Sequence, residues 1–226
     1  MNANKIAFIN PSDLHPSLLS GVNAEIDRLG EDYPVLPGSR VTLEVCKTFK
    51  DDNQYHEMTG YGLTSWDSDR RAEIKITLNA KVYGAGEDSI ELQRMLLGDL
   101  ENQYHGSMTN PVFPLTHEYG HALERMIRNG KQPLWAKAFG PIVDYFESHG
   151  DVVQDYRMGF IFGYNVPETV PVFNTRYAAE SGPEFFAETF ALLHWGNERE
   201  KASTPCRLMR DLLKVVYPES AQERSS

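Results

Sequence analysis

Cysteine is scarce in this chain. Its 226 residues contain two, Cys46 and Cys206, 160 positions apart, with no CxxC pair. That excludes a disulfide framework, and it leaves cysteine silent about any metal. A reducing compartment is the default for such a chain, although a two-cysteine protein can be exported. Long apolar runs are missing too. The first residues, Met-Asn-Ala-Asn-Lys-Ile-Ala-Phe-Ile-Asn-Pro, hold an apolar run of only four, short for the h-region of a secretory signal, which needs ~7–15. No stretch approaches the ~18 apolar residues of a membrane span. The expectation is therefore a cytoplasmic chain without a span. Positive charge is in short supply: 22 Lys plus Arg stand against 32 Asp plus Glu, a net charge of −10. Nucleic-acid binding is disfavoured by that balance, and basic peptide partners are weakly favoured by steering. Repeats and low-complexity tracts are absent. With 41% hydrophobic and 24% charged residues, the composition excludes disorder and collagen-like structure, and the chain is long enough to bury a core without staples.

What is present is periodicity. Leu18, Leu19, Val22, Ile26 and Leu29 follow helical spacing, and Gly30 stands where a helix-ending glycine is expected. Val41, Leu43, Val45 and Phe49 alternate with polar residues and read as a half-buried strand, as do Ile74, Ile76 and Leu78. Residues 51–70 are polar and read as loop. Residues 88–102 read as moderately helical. A stronger helix spans roughly 114–129, with Arg125 and Arg128 in its last turn and Gly130 after it. Further helices are expected at 138–148, 183–196 and 204–216. Strands thus occupy the first half and helices the second, which predicts an α+β fold in two lobes. The expected division is 1–130, with the sheet and the strongest helix, and 131–226, mainly helical.

The strongest helix carries His117-Glu118-Tyr119-Gly120-His121, an HExxH pattern. Residues i and i+4 share a helix face, so both imidazoles can reach one ion. A catalytic zinc takes three protein ligands and keeps one position open. Glu118 lies about 60° round the helix from His121 at ~100° per residue, placing its carboxylate beside the water that such a metal activates. The bland alternative is a pair of solvated histidines on an amphipathic helix.

Two acidic candidates compete for the third position. Metzincin spacing fails, because Glu124 and Ile127 stand where Gly and His or Asp are needed. Glu147 lies 26 residues after His121, and Glu184 lies 63 after it, with Glu188 four residues further on. Two carboxylates at i and i+4 in an apolar helix repel each other, by roughly 0.2–0.5 kcal/mol in an isolated helix. A cation and a histidine would account for both, one carboxylate binding the metal and the other orienting a ligand. Ser181-Gly-Pro-Glu184 also has the form of a capping box, in which Glu184 would touch no metal. His149 stays a further candidate, whereas His15, His56, His105 and His194 read as surface or core histidines.

Together, His117-Glu-Tyr-Gly-His121 and Tyr177-Ala-Ala-Glu-Ser-Gly-Pro-Glu184-Phe-Phe-Ala-Glu188 resemble the catalytic domain of anthrax toxin lethal factor and its relatives. That family has an HExGH helix and a tyrosine seven residues before a glutamate ligand in an E-F-F-A-E run. The resemblance covers roughly residues 113–196. It implies a two-lobed, gluzincin-type zincin with Zn2+ as cofactor and endopeptidase activity on a peptide or protein substrate, several members being toxins or secreted enzymes. Carried over by position, it implies His117, His121 and Glu184 as zinc ligands and Glu118 as general base. Tyr177 becomes the phenol that hydrogen-bonds the oxyanion, and Glu188 the partner of a ligating histidine. Without the resemblance, Tyr177 reads as a half-buried loop aromatic and Glu188 as a carboxylate that pairs with Arg176 or Arg199. The toxin-like setting makes delivery into another cell a competitor to the cytoplasmic default.

Three other classes follow from the same residues. One is a peptidase that uses Glu147. The second is an inactive zinc-binding module of the same fold that binds a protein partner. The third is a structural zinc site, which would need a fourth His or Cys that the sequence does not obviously supply. Under the peptidase reading, the strand at 73–80 is expected to be a sheet edge to which an extended substrate adds.

Overall fold

The computed structural model describes residues 5–51, 54–58, 60–66, 73–85, 89–102, 104–130, 140–142, 153–155, 160–161, 173–175, 177–179 and 181–218. The fold is α+β, with a mixed four-stranded sheet at the centre of its first part. The chain divides into two compact units: residues 1–96 with 111–130, and residues 97–110 with 131–226.

In the first unit, β1 (Ala7–Phe8) leads through α1 (Pro16–Asp32) to β2 (Arg40–Cys46), which lies parallel to it. A helix is the usual way to cross between parallel strands. β2 buries Val41, Leu43 and Val45 on one face, as its alternation predicts. The chain then turns into a ribbon of β3 (Thr48–Asp51) and β4 (Gln54–Glu57), so Phe49 belongs to β3 and not to the preceding strand. β5 (Gly62–Trp66) and β6 (Glu73–Asn79) complete the sheet in the order β1-β2-β6-β5, with β6 parallel to β2 and β5 antiparallel to β6.

Three expectations are corrected. Residues 51–70 are not simply loop, since they include β4 and β5. β5 is half-buried along most of its length, so it lacks the apolar alternation that marks β2. The strand at 73–79 is not an edge, because β2 and β5 flank it. Among the described residues β5 is the edge on that side. Gly30 does not end α1, which continues to Asp32 and is capped at Tyr33, whose N–H donates to the Leu29 carbonyl. Arg28 spans that last turn, bonding both Glu25 and Asp32, and such pairs stabilise a helix past an unfavourable glycine.

The short helix α2 (Ala80–Tyr83) follows β6, and α3 (Ser89–Glu101) follows it. α4 (Phe113–Gly130) lies against β5 and β6. Leu115, Ala122, Leu123 and Met126 are buried on it.

Among its described residues the second unit is mainly helical, with a two-stranded ribbon of β7 (Val153–Asp155) and β8 (Phe160–Ile161). α5 (Gly182–Trp195) and α7 (Thr204–Val216) fall close to the expected helices, and the short α6 (Glu198–Lys201), which was not expected, lies between them. Phe185, Phe186 and Phe190 of α5 are buried, as are Met209, Leu212 and Val216 of α7, and the two helices touch. Ser181, Asn197 and Ser203 each cap the helix that follows, accepting a backbone N–H. Burial also pushes the Cys206 thiol up to about 11, which keeps it protonated and unreactive. The expected helix at 138–148 lies outside the described residues except for a helical fragment at 140–142. No helix among the described residues is long and apolar enough to cross a membrane.

Candidate metal centre

α4 presents its histidines from a fixed rotation. Tyr119, fully buried, donates from its hydroxyl to the Tyr33 carbonyl at 2.6 Å. Thr116 donates to the Glu25 carboxylate. Near the other end, the Arg125 guanidinium lies 4.5 Å above the ring of Trp66 on β5, a favourable cation–π contact. With those positions anchored, His117 and His121 bring their rings to 4.9 Å at an interplanar angle of 83°. His117 is buried and His121 is half-buried.

Glu118 is held separately. The Thr64 hydroxyl of β5 lies 2.7 Å from the Glu118 carboxylate oxygen Oε2 and 2.8 Å from the Glu118 backbone carbonyl, both acceptors for its one proton. Gly62, two residues earlier on the same strand, lies under the Glu118 side chain. A Cβ at Gly62 would stand 2.9 Å from Glu118 Cγ and 3.2 Å from the Thr77 carbonyl. The nearby Tyr83 phenol is pushed well above its usual range, first by burial and then by the Glu118 charge. It stays a neutral donor, bonded to the Pro111 carbonyl at 3.1 Å. Gly62→Ala is expected to destabilise the chain by about 1–3 kcal/mol, the usual cost of overpacking, as a lower urea midpoint at unchanged slope. An unshifted midpoint would mean that the Glu118 side chain moves aside freely.

Glu184 occupies the third position of α5. The Ser181 hydroxyl accepts the Glu184 N–H at 3.2 Å, so the capping reading is right about the backbone of Glu184. It does not dispose of the carboxylate. His117, His121 and Glu184 each offer one ligand atom, and these atoms lie within 4.8 Å of one another. The three form a His/His/Glu group able to hold a metal ion. Glu147 and His149 lie outside the described residues.

The remaining residues of interest fall as follows. Tyr177 opens a 3-10 turn, Tyr177–Ala179, and is half-buried. Its N–H donates to the Tyr104 carbonyl at 3.1 Å. Glu188, one turn after Glu184, is fully buried, and its two oxygens lie 3.1 and 3.2 Å from His105 Nδ1. His15 caps α1, His56 lies tilted against Phe49 with ring centroids 5.5 Å apart, and His194 meets Phe190 edge-on with centroids 5.1 Å apart. Among the described residues, none of those three belongs to the His117/His121/Glu184 group. Gly62 and Thr64 were not foreseen, because their segment reads as loop and nothing local ties a glycine or a threonine to a helix 54 residues away. Comparison of the chain with protein-family models, curated proteins and solved structures finds no match, so the centre is read from its own chemistry.

Proposed function

We propose that the chain is a zinc-dependent endopeptidase of the lethal factor-like zincin type. The observation that carries this reading is the His117/His121/Glu184 group together with a buried glutamate, Glu118, on the same helix as both histidines. The donor set suits zinc: two imidazoles and one carboxylate make up a known catalytic combination. Calcium and magnesium prefer all-oxygen shells. Ligands about 2.0–2.2 Å from one tetrahedral ion lie roughly 3.4 Å apart, inside the observed 4.8 Å spread. Under this reading the first lobe, 1–130, supplies the sheet and the HExxH helix, and the second, 131–226, supplies Glu184.

Zinc, when bound, supplies Lewis acidity that polarises a carbonyl and makes water nucleophilic at neutral pH. The residues of the chain do the rest. Glu118 accepts the proton of the attacking water and returns it to the leaving amine. Its bond from Thr64 keeps the carboxylate from rotating away. Tyr177 donates a hydrogen bond to the oxyanion. Edge strand β5 takes the substrate as an added antiparallel or parallel strand. Trp66→Pro removes one edge N–H together with the ring beneath Arg125, so it is compared with Trp66→Ala, which removes the ring alone; the proline variant is expected to have a KM several-fold above that of the alanine variant, and equal KM values would remove β5 from substrate binding. The net charge of −10 favours basic substrates, and the toxin-like resemblance favours an effector acting on a host protein.

The deciding experiment combines metal content by mass spectrometry on chelator-free protein with a diverse peptide library. About one zinc per chain, and cleavage that a chelator abolishes and zinc restores, supports the reading. One zinc without cleavage points instead to an inactive zinc-binding interaction module. No zinc, even after addition of the ion, leaves the paired histidines without a metal role.

A further inference from the structure

Sequence reasoning treats His105 as an ordinary surface or core histidine. Its surroundings are unusual for one. It is buried, with Nδ1 facing both oxygens of Glu188 and Nε2 3.9 Å from Asp99 Oδ2. A carboxylate accepts and does not donate, so Nδ1 carries the proton in that bond and the ring orientation is set. Removing an imidazole and a carboxylate from water is costly even when they are paired, and an apolar pair of similar volume would often be as stable. The arrangement therefore invites a role beyond stability.

The ring of His105 meets Tyr177 edge-on, with centroids 4.9 Å apart and planes at 78°. It meets Tyr104 at the same distance and angle, and Tyr104 lies 5.1 Å from Tyr177. The three rings form a closed triangle, and the Tyr177 N–H bonds the Tyr104 carbonyl. Both the backbone and the ring of Tyr177 thus rest on residues 104–105. The turn beneath them is itself pinned. Gly106 has φ +59°, and a Cβ there would come within 2.6 Å of Glu200 Oε1. Glu200 in turn accepts the Ser107 N–H at 2.9 Å and the Asn197 N–H at 2.8 Å.

We infer that His105, clamped by Glu188, is a positioning residue that sets the orientation of the Tyr177 phenol. This rests on the peptidase reading for what Tyr177 does, but not for what holds it. It also gives Glu188 a different task from the one implied by the family resemblance: it supports the tyrosine through His105.

The test uses the full chain labelled with 3-fluorotyrosine, and three substitutions. His105→Phe alone strands the Glu188 carboxylate and risks misfolding, so His105→Phe/Glu188→Met replaces the whole polar pair with apolar groups. The fluorine resonance lost in Tyr177→Phe identifies Tyr177. In the metal-free chain, that resonance is expected to shift or broaden in His105→Phe/Glu188→Met, while the other tyrosine signals outside the 104–105 turn stay in place. With zinc loaded, the same variant should keep its metal, hold KM within about twofold and lose at least about tenfold in kcat, a loss of the kind seen when an oxyanion donor is misplaced. Adding Tyr177→Phe should cost nothing further, since two changes that remove one function are not additive. An unmoved Tyr177 resonance, or fully additive losses, overturns the inference. A chain that cleaves no peptide sinks the peptidase reading alone, and the fluorine measurement then decides this one by itself.

Discussion

Glu118→Gln retains about one zinc per chain and loses about 10²–10⁴-fold in kcat, the usual contribution of general acid–base catalysis. The reasoning separates the two quantities. Glutamine matches glutamate in shape, and its amide oxygen still accepts the Thr64 hydroxyl that now bonds the Glu118 carboxylate at 2.7 Å. Gly62 still accommodates the side chain, because the atom it crowds is Cγ. The metal group comprises His117, His121 and Glu184 and not Glu118. What disappears is the base, since an amide cannot accept a proton near neutral pH. Metal content by mass spectrometry and steady-state kinetics on a cleaved peptide check the two halves independently. Unchanged turnover would remove Glu118 from the chemistry. Loss of zinc along with turnover would make it a structural support of the centre.

Glu184→Ala has the opposite signature: the chain folds and the zinc goes. Removing a group that merely orients a ligand typically costs 10–100-fold in metal affinity, so deleting a ligand should weaken binding by at least about 100-fold. The cap at the start of α5 survives, because Ser181 accepts the Glu184 backbone N–H, which alanine also has. Far-UV circular dichroism should therefore be unchanged while zinc is lost on dialysis. Glu147→Ala, taken through the same dialysis, is expected to keep its metal. If Glu147→Ala loses zinc and Glu184→Ala keeps it, the third ligand is Glu147 and the spacing-based resemblance fails.

Much of this chain was legible as local pattern. α4, α5 and α7 lie within a residue or so of their expected bounds, because apolar residues recur at helical spacing and Ser181 marks the start of α5. β2 and β6 were legible through alternation. His117, Glu118 and His121 group on spacing alone, since four residues along a helix is about one turn. The differences have separate causes. β5 is short and half-buried, so no period-two signal marks it, and its lack of signal made β6 look like an edge. Gly30 reads as a helix end by its residue type, but side-chain pairs on the last turn carry α1 through it.

The order of elements, the α+β class and the i, i+4 histidine pair follow from residue spacing alone, because helix and strand periods are properties of neighbouring residues. Spacing says nothing about partners that the fold brings together from a distance. Thr64 meets Glu118 across 54 residues, and His105 meets Glu188 across 83. The segment 97–110 joins residues 131–226, not the strands that precede it. Each of these depends on how packed elements exclude water around a buried carboxylate, and that requirement is met in three dimensions by whichever hydroxyl, imidazole or side-chain-free glycine the fold delivers there.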